Sequence, residues 1–435
     1  MDILEERRST PLLGEYEVVV LGGGPAGIAA ATAAGRAGRS TVLVERYGFL
    51  GGAGTAAGLA NFCGLHAKVD GEHRQVVHGI ADDVLERLRH MHALSEPHPL
   101  FDGKIQAQAY DVSAYKLVAD EIVLGAKVKL LFHAYAVGAT PEHLLVETKS
   151  GRRAIGGQIF VDCSGDGDLA AWRGAPYELG DGRGNMLYPS TMYRIGGVDP
   201  QKAGRAWEKI PELMEEAERR GARFPRKKPI VRPQPNPSEW RANLTQIRNP
   251  DGSAVSGIDA EQLSYGEIEG RRQCWQTFEF IRGATPGFER AYIAEIAPQI
   301  GIRETRRLRG EYMLSEDDIL DCAGCADSIG VNGWPVEEHL AGNVEFRFQR
   351  KPRGYNQLPY RMLLPLTTEN LLVAGRCASM THGGQSSARV SGACFVMGQA
   401  AGTAAHLALK IGVRARLLDA NELQRELETQ GVFLG

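Results

Sequence analysis

Near the N-terminus, two short apolar runs flank a glycine-rich turn and a segment dominated by alanine. The first run is Val18 to Leu21, and the second is Thr41 to Val44. Between them, Gly22-Gly23-Gly24-Pro25-Ala26-Gly27 leads into the alanine-rich segment from Ile28 to Ala37. Short, continuously apolar runs are typical of buried strands, whereas alanine favours a helix. The pattern predicts a strand, a tight turn, a helix and a second strand.

Helical and strand patterns follow one another along the rest of the chain, as is typical of an α/β fold. Apolar residues with helical spacing predict helices over 79–91, 112–124, 210–220, 262–282 and 391–410. Short apolar runs predict strands over 128–132, 144–148, 158–161 and 371–375. Prolines between 225 and 237 indicate a long irregular loop. Glycines at 392, 398 and 402 would let the last helix approach another backbone closely.

The glycine-rich turn has the spacing Gly22-x-Gly24-x-x-Gly27. In such a turn the first glycine permits the bend, the second lets the backbone approach a pyrophosphate, and the third lets the helix pack on the sheet. The N-terminus of the helix then presents free N–H groups to the phosphates. Glu45 ends the second strand, where a carboxylate can accept a hydrogen bond from a ribose hydroxyl. Together these features predict a dinucleotide site.

Length and composition suit a globular protein of two to three lobes. The chain has 435 residues, 43% of them hydrophobic and 24% charged. A net charge of −3 gives no electrostatic reason to expect a nucleic acid or an anionic membrane as a partner. Residues 1–13 lack the apolar core of a signal peptide, and no run reaches the length of about 18 apolar residues that spans a membrane. We therefore predict a cytoplasmic protein.

Cysteines and acidic residues give no indication of a disulfide framework or a metal site. Seven cysteines, an odd number, are scattered over a long chain, which suits reduced thiols. Cys322 and Cys325 form a CxxC pair without a second pair or a spaced histidine, so we interpret them as unpaired thiols. The acids at 162, 166 and 168 lack the pattern of a calcium-binding loop. No metal is predicted.

The residues after Glu45 carry a resemblance that distinguishes FAD from NAD. The stretch from Arg46 to Thr55 contains Gly51-Gly52-Ala53 and resembles the second glycine pair of FAD-binding flavoproteins with two dinucleotide-binding domains, the glutathione-reductase-like superfamily. This resemblance implies that Gly51 and Gly52 lie against the FAD pyrophosphate. An ordinary glycine-rich loop is the alternative interpretation.

Three further segments resemble one family, the bacterial FAD-dependent oxidoreductases. Residues 301–308 are similar to its Gly-x-Arg-Glu-[Ser/Thr]-Arg-Arg motif, and Leu358-Pro359-Tyr360-Arg361 is similar to its Ile-Pro-Tyr-Arg element. Residues 371–402 are similar to its C-terminal flavin-closing motif. The resemblance extends from about residue 15 to 410 and implies FAD and a fold, but no substrate.

The implied fold is α/β, a Rossmann-like FAD-binding domain with a central parallel sheet and a three-stranded β-meander, interrupted by an α+β substrate or cap domain. The expected divisions are an N-terminal arm (1–14), the first part of the FAD-binding domain (15–178), the cap domain (179–360), and the return segment with the C-terminal helix (361–435). The implied meander consists of strands 128–132, 144–148 and 158–161, and the last of these leads to Gly165 near the cofactor. The expected FAD-binding residues are Gly22, Gly24, Pro25, Ala26, Gly27, Glu45, Arg46, Gly51, Gly52, Ala53, Gly165, Gly375, Arg376 and Gly392.

Five side chains are candidates for the chemistry. His382 lies between the strand ending at Gly375 and the last helix, so it is expected at the flavin edge as an acid or base, or as a hydrogen-bonding neighbour. Arg389, a candidate catalytic residue, and Arg361, a candidate substrate-binding residue, could each anchor a carboxylate or carbonyl through its planar fork, although structural ion pairing would also account for either. Cys63 and His66 follow the second glycine pair and are candidates for catalysis or for a covalent flavin link.

Arginines in the motif at 301–308 are expected to hold the lobes together. Arg303, Arg306 and Arg307 lie close in sequence to Glu304 and Glu311, and this arrangement favours an ion-pair network. Because a second lobe interrupts the FAD-binding domain, we expect the substrate to bind in the crevice between the two lobes.

Three functions remain open on these observations. The preferred one is an FAD-dependent oxidoreductase that transfers a hydride between a small polar substrate and FAD, with an external electron acceptor or donor, because no second GxGxxG unit supplies an NAD(P)H domain. The first alternative is a flavin-binding protein in which FAD is structural or serves RNA modification or assembly. The second is a flavin monooxygenase. Direction, substrate and oligomeric state are left open.

Overall fold

The computed structural model describes residues 9–435. Its strands are β1 (Leu12–Leu21), β2 (Thr41–Val44), β3 (Asn61–Cys63), β4 (His66–Val69), β5 (Glu72–Gln75), β6 (His98–Leu100), β7 (Ile105–Ala109), β8 (Lys129–Leu131), β9 (Tyr135–Ala139), β10 (His143–Thr148), β11 (Gly151–Asp162), β12 (Tyr177–Glu178), β13 (Tyr193–Gly196), β14 (Ile230–Pro233), β15 (Trp240–Asn243), β16 (Tyr292–Ile296), β17 (Arg307–Leu308), β18 (Ser328–Asn332), β19 (Val336–Leu340), β20 (Asn343–Arg347), β21 (Asn356–Pro359) and β22 (Leu371–Val373). Its α-helices are α1 (Pro25–Arg36), α2 (Ile80–His90), α3 (Val112–Gly125), α4 (Asp168–Trp172), α5 (Pro200–Ala203), α6 (Ala206–Arg219), α7 (Ala260–Ala284), α8 (Glu316–Leu320), α9 (His382–Ala388), α10 (Ser391–Ile411) and α11 (Ala420–Thr429).

A seven-stranded sheet forms the centre of the fold, with the order β8-β2-β1-β11-β10-β9 and β22 paired to β11. Strands β8, β2, β1, β11 and β22 are parallel. Successive residues of β1 point to opposite faces, so Val18 and Val20 join one apolar core while Val19 and Leu21 join another. This is the predicted α/β architecture with a parallel sheet. The carboxyl ends of the parallel strands lie at one edge, where α/β proteins bind their ligands.

The meander is built from different residues than the sequence predicted. Its strands are β9, β10 and β11, whereas 128–132 contains β8, which pairs in parallel with β2 at the edge of the sheet. Strand β9 was missed because it contains a glycine and two alanines, which have low strand propensity, and its side chains are only exposed or half-buried. The predicted strand 158–161 is the end of the twelve-residue strand β11, whose first half pairs with β10.

Helix α10 packs directly on α1 beneath the sheet, as the glycines at 398 and 402 predicted. A Cβ at Gly398 would lie 2.0 Å from the Ala26 carbonyl oxygen, and one at Gly402 would lie 2.1 Å from that of Ala30. Only glycine fits at such distances. The contact holds α10 against α1, so the return segment packs into the same domain as β1 and α1.

A second lobe contains a four-stranded antiparallel sheet of order β14-β15-β13-β16. Helices α6 and α7 pack on this sheet around Trp240, Phe278 and Phe288, which are all buried. This α+β lobe lies inside the region expected for the cap domain.

Packing divides the chain somewhat differently from the expected boundaries. The buried apolar residues of the second lobe's core lie between 193 and 291, while those from 314 to 360 join the large core of the first domain. At the other end, residues 12–14 of the expected arm belong to β1, and residues 1–8 lie outside the described part of the chain.

Candidate active site

One large cavity lies between the carboxyl edge of the central sheet and the second lobe. Its volume is about 380 Å³. One end is lined by the glycine-rich turn after β1, by the end of β2, and by residues from the second glycine pair and the return segment. The other end is lined by side chains of the second lobe and of the strand β19 region. The cavity therefore joins the predicted nucleotide site to a second, chemically different compartment.

The two glycine pairs are in contact. The N–H of Gly51 donates to the Gly23 carbonyl at 2.8 Å. Gly22 has a φ of +98°, which favours glycine, and a Cβ at Gly27 would lie 1.7 Å from the Gly22 carbonyl oxygen. At Gly24, by contrast, a Cβ would meet only the Gly52 Cα within 4 Å, at 3.7 Å. The space beside Gly24 is thus open to the cavity at the N-terminus of α1.

Glu45 fastens the glycine-rich turn to the end of β2. Its Oε2 accepts the N–H of Gly23 at 2.6 Å, and its Oε1 accepts the N–H of Tyr47 at 3.0 Å. The side chain is buried and lines the cavity, and burial raises its pKa. Each carboxylate oxygen keeps a further lone pair that a hydroxyl in the cavity can use.

Arg376 connects the return segment to the turn after β11. Its Nη2 donates to the Asp166 carboxylate at 2.8 Å and its Nη1 to the Thr305 hydroxyl at 3.1 Å. Gly165, with a φ of +79°, leaves room for this guanidinium, which would lie 3.0 Å from a Cβ there. Gly375 has a φ of +91° and lies against Ala26 at the start of α1. The segment after β22 therefore closes the cavity beside the glycine-rich turn.

Comparison with known proteins identifies the family. Residues 17–427 match the family described as FAD dependent oxidoreductase. The chain belongs to the FAD dependent oxidoreductase family. It is an FAD-dependent oxidoreductase, and its cofactor is FAD. No curated protein matches the chain.

Two solved structures resemble the chain at low sequence identity. The p-nitrophenol 4-monooxygenase PnpA from Pseudomonas putida is 14% identical, with a TM-score of 0.50, and the match covers 93% of this chain and 83% of that chain. A geranylgeranyl bacteriochlorophyll reductase-like protein from Thermoplasma acidophilum is 13% identical, with a TM-score of 0.46 and coverage of 97% and 84%. At this identity the first likeness establishes the fold and leaves the reaction open.

The cavity of this oxidoreductase has the chemistry that FAD requires. The open space beside Gly24, the free N–H groups of the first turn of α1 and the spare lone pairs of Glu45 suit a pyrophosphate and a ribose. Eleven expected cofactor residues line the cavity: Gly22, Gly24, Pro25, Ala26, Glu45, Arg46, Gly52, Ala53, Gly165, Gly375 and Arg376. The other three expected residues, Gly27, Gly51 and Gly392, do not line the cavity. Gly392 is packed against the protein backbone, because a Cβ there would lie 2.3 Å from the Gly64 carbonyl oxygen.

His382 does not line the cavity, although the sequence placed it at the flavin edge. It is the first residue of α9, and the hydroxyl of Thr381 caps this helix by accepting the N–H of Gly384 at 3.1 Å. The helix start directs the imidazole to the buried Glu304 carboxylate, with Nδ1 2.9 Å from Oε2. His382 thus belongs to the ion-pair network of Glu304 and Arg307, and its geometry gives no support to a catalytic role.

Arg361 and His66 also lie away from the cavity. Arg361 donates from Nε and Nη2 to both oxygens of Asp327, at 3.0 and 3.1 Å, and its side chain is 48% exposed. This ion pair accounts for the arginine that the sequence offered as a substrate ligand. His66 is buried on β4, where burial lowers its pKa to about 4 and keeps the ring neutral.

Cys63 and Arg389 do line the cavity, as expected. Burial raises the pKa of the Cys63 thiol to about 12, so the protonated thiol predominates at neutral pH and is a poor nucleophile. Its backbone N–H bonds to the Ser391 hydroxyl at 2.9 Å, which connects β3 to the start of α10. Arg389 enters the cavity just before α10 begins.

The predicted ion-pair network is present in part. Arg307 pairs with Glu304, and Arg306 pairs with Asp168 at 2.8 Å. Glu311 is 3.8 Å from Arg416 instead of contacting the motif arginines. Arg303 does not take part in this network, because its side chain lines the cavity and donates to the Tyr188 carbonyl at 2.7 Å.

Several polar residues of the second compartment were missed by the sequence analysis. They are Arg241 on β15 and Trp334, Glu337 and His339 on and before β19. The Glu337 carboxylate accepts from Trp334 Nε1 at 2.8 Å and from His339 Nε2 at 2.9 Å. The glutamates and the histidine between the apolar ends of the run from Val336 to Leu340 are a sequence signal that could have drawn attention to Glu337 and His339.

The electrostatics of this compartment keep Glu337 ionised and His339 neutral. Burial opposes ionisation of Glu337, but the hydrogen bonds from His339 and Trp334 and the charge of Arg389 outweigh it and lower its pKa to about 2. Burial, reinforced by the charge of Arg303, lowers the pKa of His339 well below its ordinary value. A neutral imidazole therefore donates its Nε2 proton to a carboxylate at the cavity wall.

Among residues 9–435, no group of three or more histidine, cysteine, aspartate or glutamate side chains is arranged to hold a metal ion. In the same part of the chain, no helix has the length and apolar character needed to cross a membrane.

Proposed function

We propose that this oxidoreductase transfers a hydride between a small polar organic molecule and FAD, within the glutathione-reductase-like superfamily of flavoproteins. One observation carries the proposal: a single cavity has the glycine-rich cradle at one end and buried polar side chains at the other. FAD supplies the hydride acceptor or donor when it is bound. The cradle residues hold the cofactor, and the second compartment holds and orients the substrate.

The Glu337–His339 pair is the candidate for handling the proton that accompanies hydride transfer. It lines the cavity, and its hydrogen bond joins an ionised carboxylate to a neutral imidazole. A substrate hydroxyl or amine that loses a hydride must also lose a proton, and the neutral imidazole of His339 can receive it while the ionised Glu337 stabilises the imidazolium that forms. In this proposal the pair takes the role that the sequence assigned to His382.

The proposal also covers the molecule that exchanges electrons with the flavin and the cellular location of the enzyme. We infer an external electron acceptor or donor rather than a built-in NAD(P)H domain, because the chain carries one glycine fingerprint. The seven cysteines are all free in the structure, which supports a reducing, cytoplasmic environment and gives no sign of a disulfide scaffold. No nucleic-acid partner is proposed.

The proposal is tested by anaerobic reduction of the bound flavin. A panel of small hydroxy acids, amino acids, alcohols and amines is mixed with the protein, and the loss of the oxidised flavin absorbance is followed. We expect at least one polar compound to bleach the flavin, because the second compartment provides polar groups beside the cradle. Rapid, stoichiometric reduction by micromolar NADPH, followed by reaction with oxygen and an aromatic substrate, would instead identify the monooxygenase alternative.

Two variants locate the proton-handling group in the same assay. Glu337→Gln should retain FAD and lower the rate of flavin reduction by about a hundredfold, since acid/base groups contribute about a hundredfold to ten-thousandfold. His382→Gln is the matched control, because the amide can still donate to Glu304 outside the cavity; we expect a loss of less than about tenfold. The reverse order of effects would restore His382 as the catalytic residue.

A further inference from the structure

Arginine side chains reach the second compartment from three separate parts of the chain. Arg241 comes from β15 of the second lobe, Arg303 from the loop before β17, and Arg389 from the end of α9. Arg241 is 4% exposed and Arg303 is 6% exposed. Three positively charged side chains therefore line the same cavity.

Their hydrogen bonds within the protein leave donors unused. Arg241 Nη1 donates to the Leu59 carbonyl at 2.9 Å, and Arg303 Nη1 donates to the Tyr188 carbonyl at 2.7 Å. The Nε of Arg241 and the Nε and Nη2 of Arg389 are buried without any partner. Within residues 9–435, none of these guanidinium groups forms an ion pair with a carboxylate.

The acidic residues of the cavity do not balance this charge. The Glu337 carboxylate also lines the cavity, but Trp334 and His339 already donate hydrogen bonds to its two oxygens. Glu267 accepts the N–H of Ile300 at 2.7 Å and a bond from Arg271 at 3.4 Å. Because His339 is neutral, the compartment keeps an excess of positive charge. Buried charge without a partner is unfavourable, so the arrangement favours an anionic ligand.

The other walls of the compartment are apolar. Phe62, Phe101, Trp334, Phe346 and Val390 line the cavity. Apolar side chains such as these suit the carbon skeleton of an organic acid better than an inorganic anion, which would gain nothing from apolar contact.

We propose that the substrate of this oxidoreductase carries a carboxylate, which Arg241 and Arg389 bind while Arg303 contributes the third positive charge. The planar forks of two guanidinium groups match the two oxygens of a carboxylate, and the unused donors are those such a group would take. The inference rests on the proposed function, since it names the chemical class of the substrate in that same cavity. The carboxylate would fix which carbon of the substrate faces the cofactor.

Binding of non-reacting acids to the oxidised holoenzyme tests the proposal. Acetate, benzoate and inorganic phosphate are titrated beside the neutral amides acetamide and benzamide, with the flavin absorbance spectrum and the thermal unfolding temperature as readouts. We expect the carboxylates to perturb the spectrum and to raise the unfolding temperature, and the amides to do neither. No turnover is needed, so failure here is distinct from failure of the proposed function, which appears as a flavin that no compound of the panel reduces.

Substitutions then assign the binding to the arginines. Arg241→Met and Arg389→Met should each weaken benzoate binding by about tenfold or more, as expected for loss of a charge-assisted hydrogen bond. Arg350→Met, at an exposed arginine paired with Asp321 at 3.1 Å, is the control and should bind benzoate normally. If a methionine variant does not fold, the corresponding lysine variant carries the test, because it keeps the charge and loses the fork.

Three results would overturn the proposal. Amides that bind as tightly as their carboxylates would show that charge is not recognised. Phosphate that binds more tightly than any carboxylate would exclude an organic acid as the preferred ligand. Arginine variants that shift the flavin midpoint potential but bind benzoate normally would show that the charges serve the flavin alone.

Discussion

Replacing Gly24 by valine is expected to yield a folded protein that binds FAD more weakly. Gly24 has a φ of −74° and a ψ of −177°, an extended conformation that valine adopts without strain. Within the protein its new side chain would meet open space, with the Gly52 Cα at 3.7 Å. In our proposal the pyrophosphate of FAD approaches through that space. We expect FAD affinity to fall by roughly tenfold to a hundredfold, equivalent to about 1–3 kcal/mol of overpacking.

The measurement is the flavin content of the purified variant and its titration with added FAD. Gly125→Val is a matched control, because Gly125 is exposed at the end of α3 with nothing within 4 Å of a Cβ. The control should retain normal flavin. A Gly24→Val protein with wild-type FAD affinity would show that the cofactor does not approach this turn.

Replacing Arg307 by methionine should destabilise the fold by about 3–5 kcal/mol, because it leaves a buried carboxylate without its cation. The side chains of Arg307 and Glu304 are 2% and 0% exposed. Arg307 also donates to the carbonyls of Met380 at 3.0 Å and Gly180 at 2.8 Å, so its loss leaves buried acceptors unpaired in three segments of the chain. The network therefore connects the motif at 301–308 to the return segment.

Thermal and denaturant unfolding measure this effect. Arg309→Met provides the control: the Arg309 side chain is 56% exposed and lies 3.7 Å from Glu178, so its pair should contribute about 0–1 kcal/mol. Equal destabilisation by the two substitutions would contradict a special role for the buried pair.

The cofactor end of the cavity could be predicted from sequence because its chemistry is local. The turn from Gly22 to Gly27 needs glycine for steric reasons that act over a few residues, and the strands on either side have continuous apolar runs. The same holds for α10, whose glycines at 398 and 402 directly reflect a close helix contact. Strand β9 has neither property: its side chains are exposed or half-buried, and it contains a glycine and two alanines, which have low strand propensity, so it was missed.

The substrate end could not be predicted because its residues meet only through tertiary packing. Arg241, Arg303 and Glu337 come from distant segments and share no spacing. Arg303 and Arg307 look alike in the motif, yet one lines the cavity while the other is buried against Glu304. His382 lies in the expected segment, but the first turn of α9 directs its ring away from the cavity. Sequence position identified the segment and not the direction of the side chain.

The most direct test of the account is the identity and amount of flavin in the purified wild-type protein. Acid denaturation should release FAD, recognised by its spectrum and chromatographic mobility, in an amount near one molecule per chain once the protein has been incubated with excess FAD. The released molecule should be intact FAD, because Cys63 is a protonated thiol and His66 lies outside the cavity. A colourless protein that takes up no added FAD would contradict the assignment of the cavity.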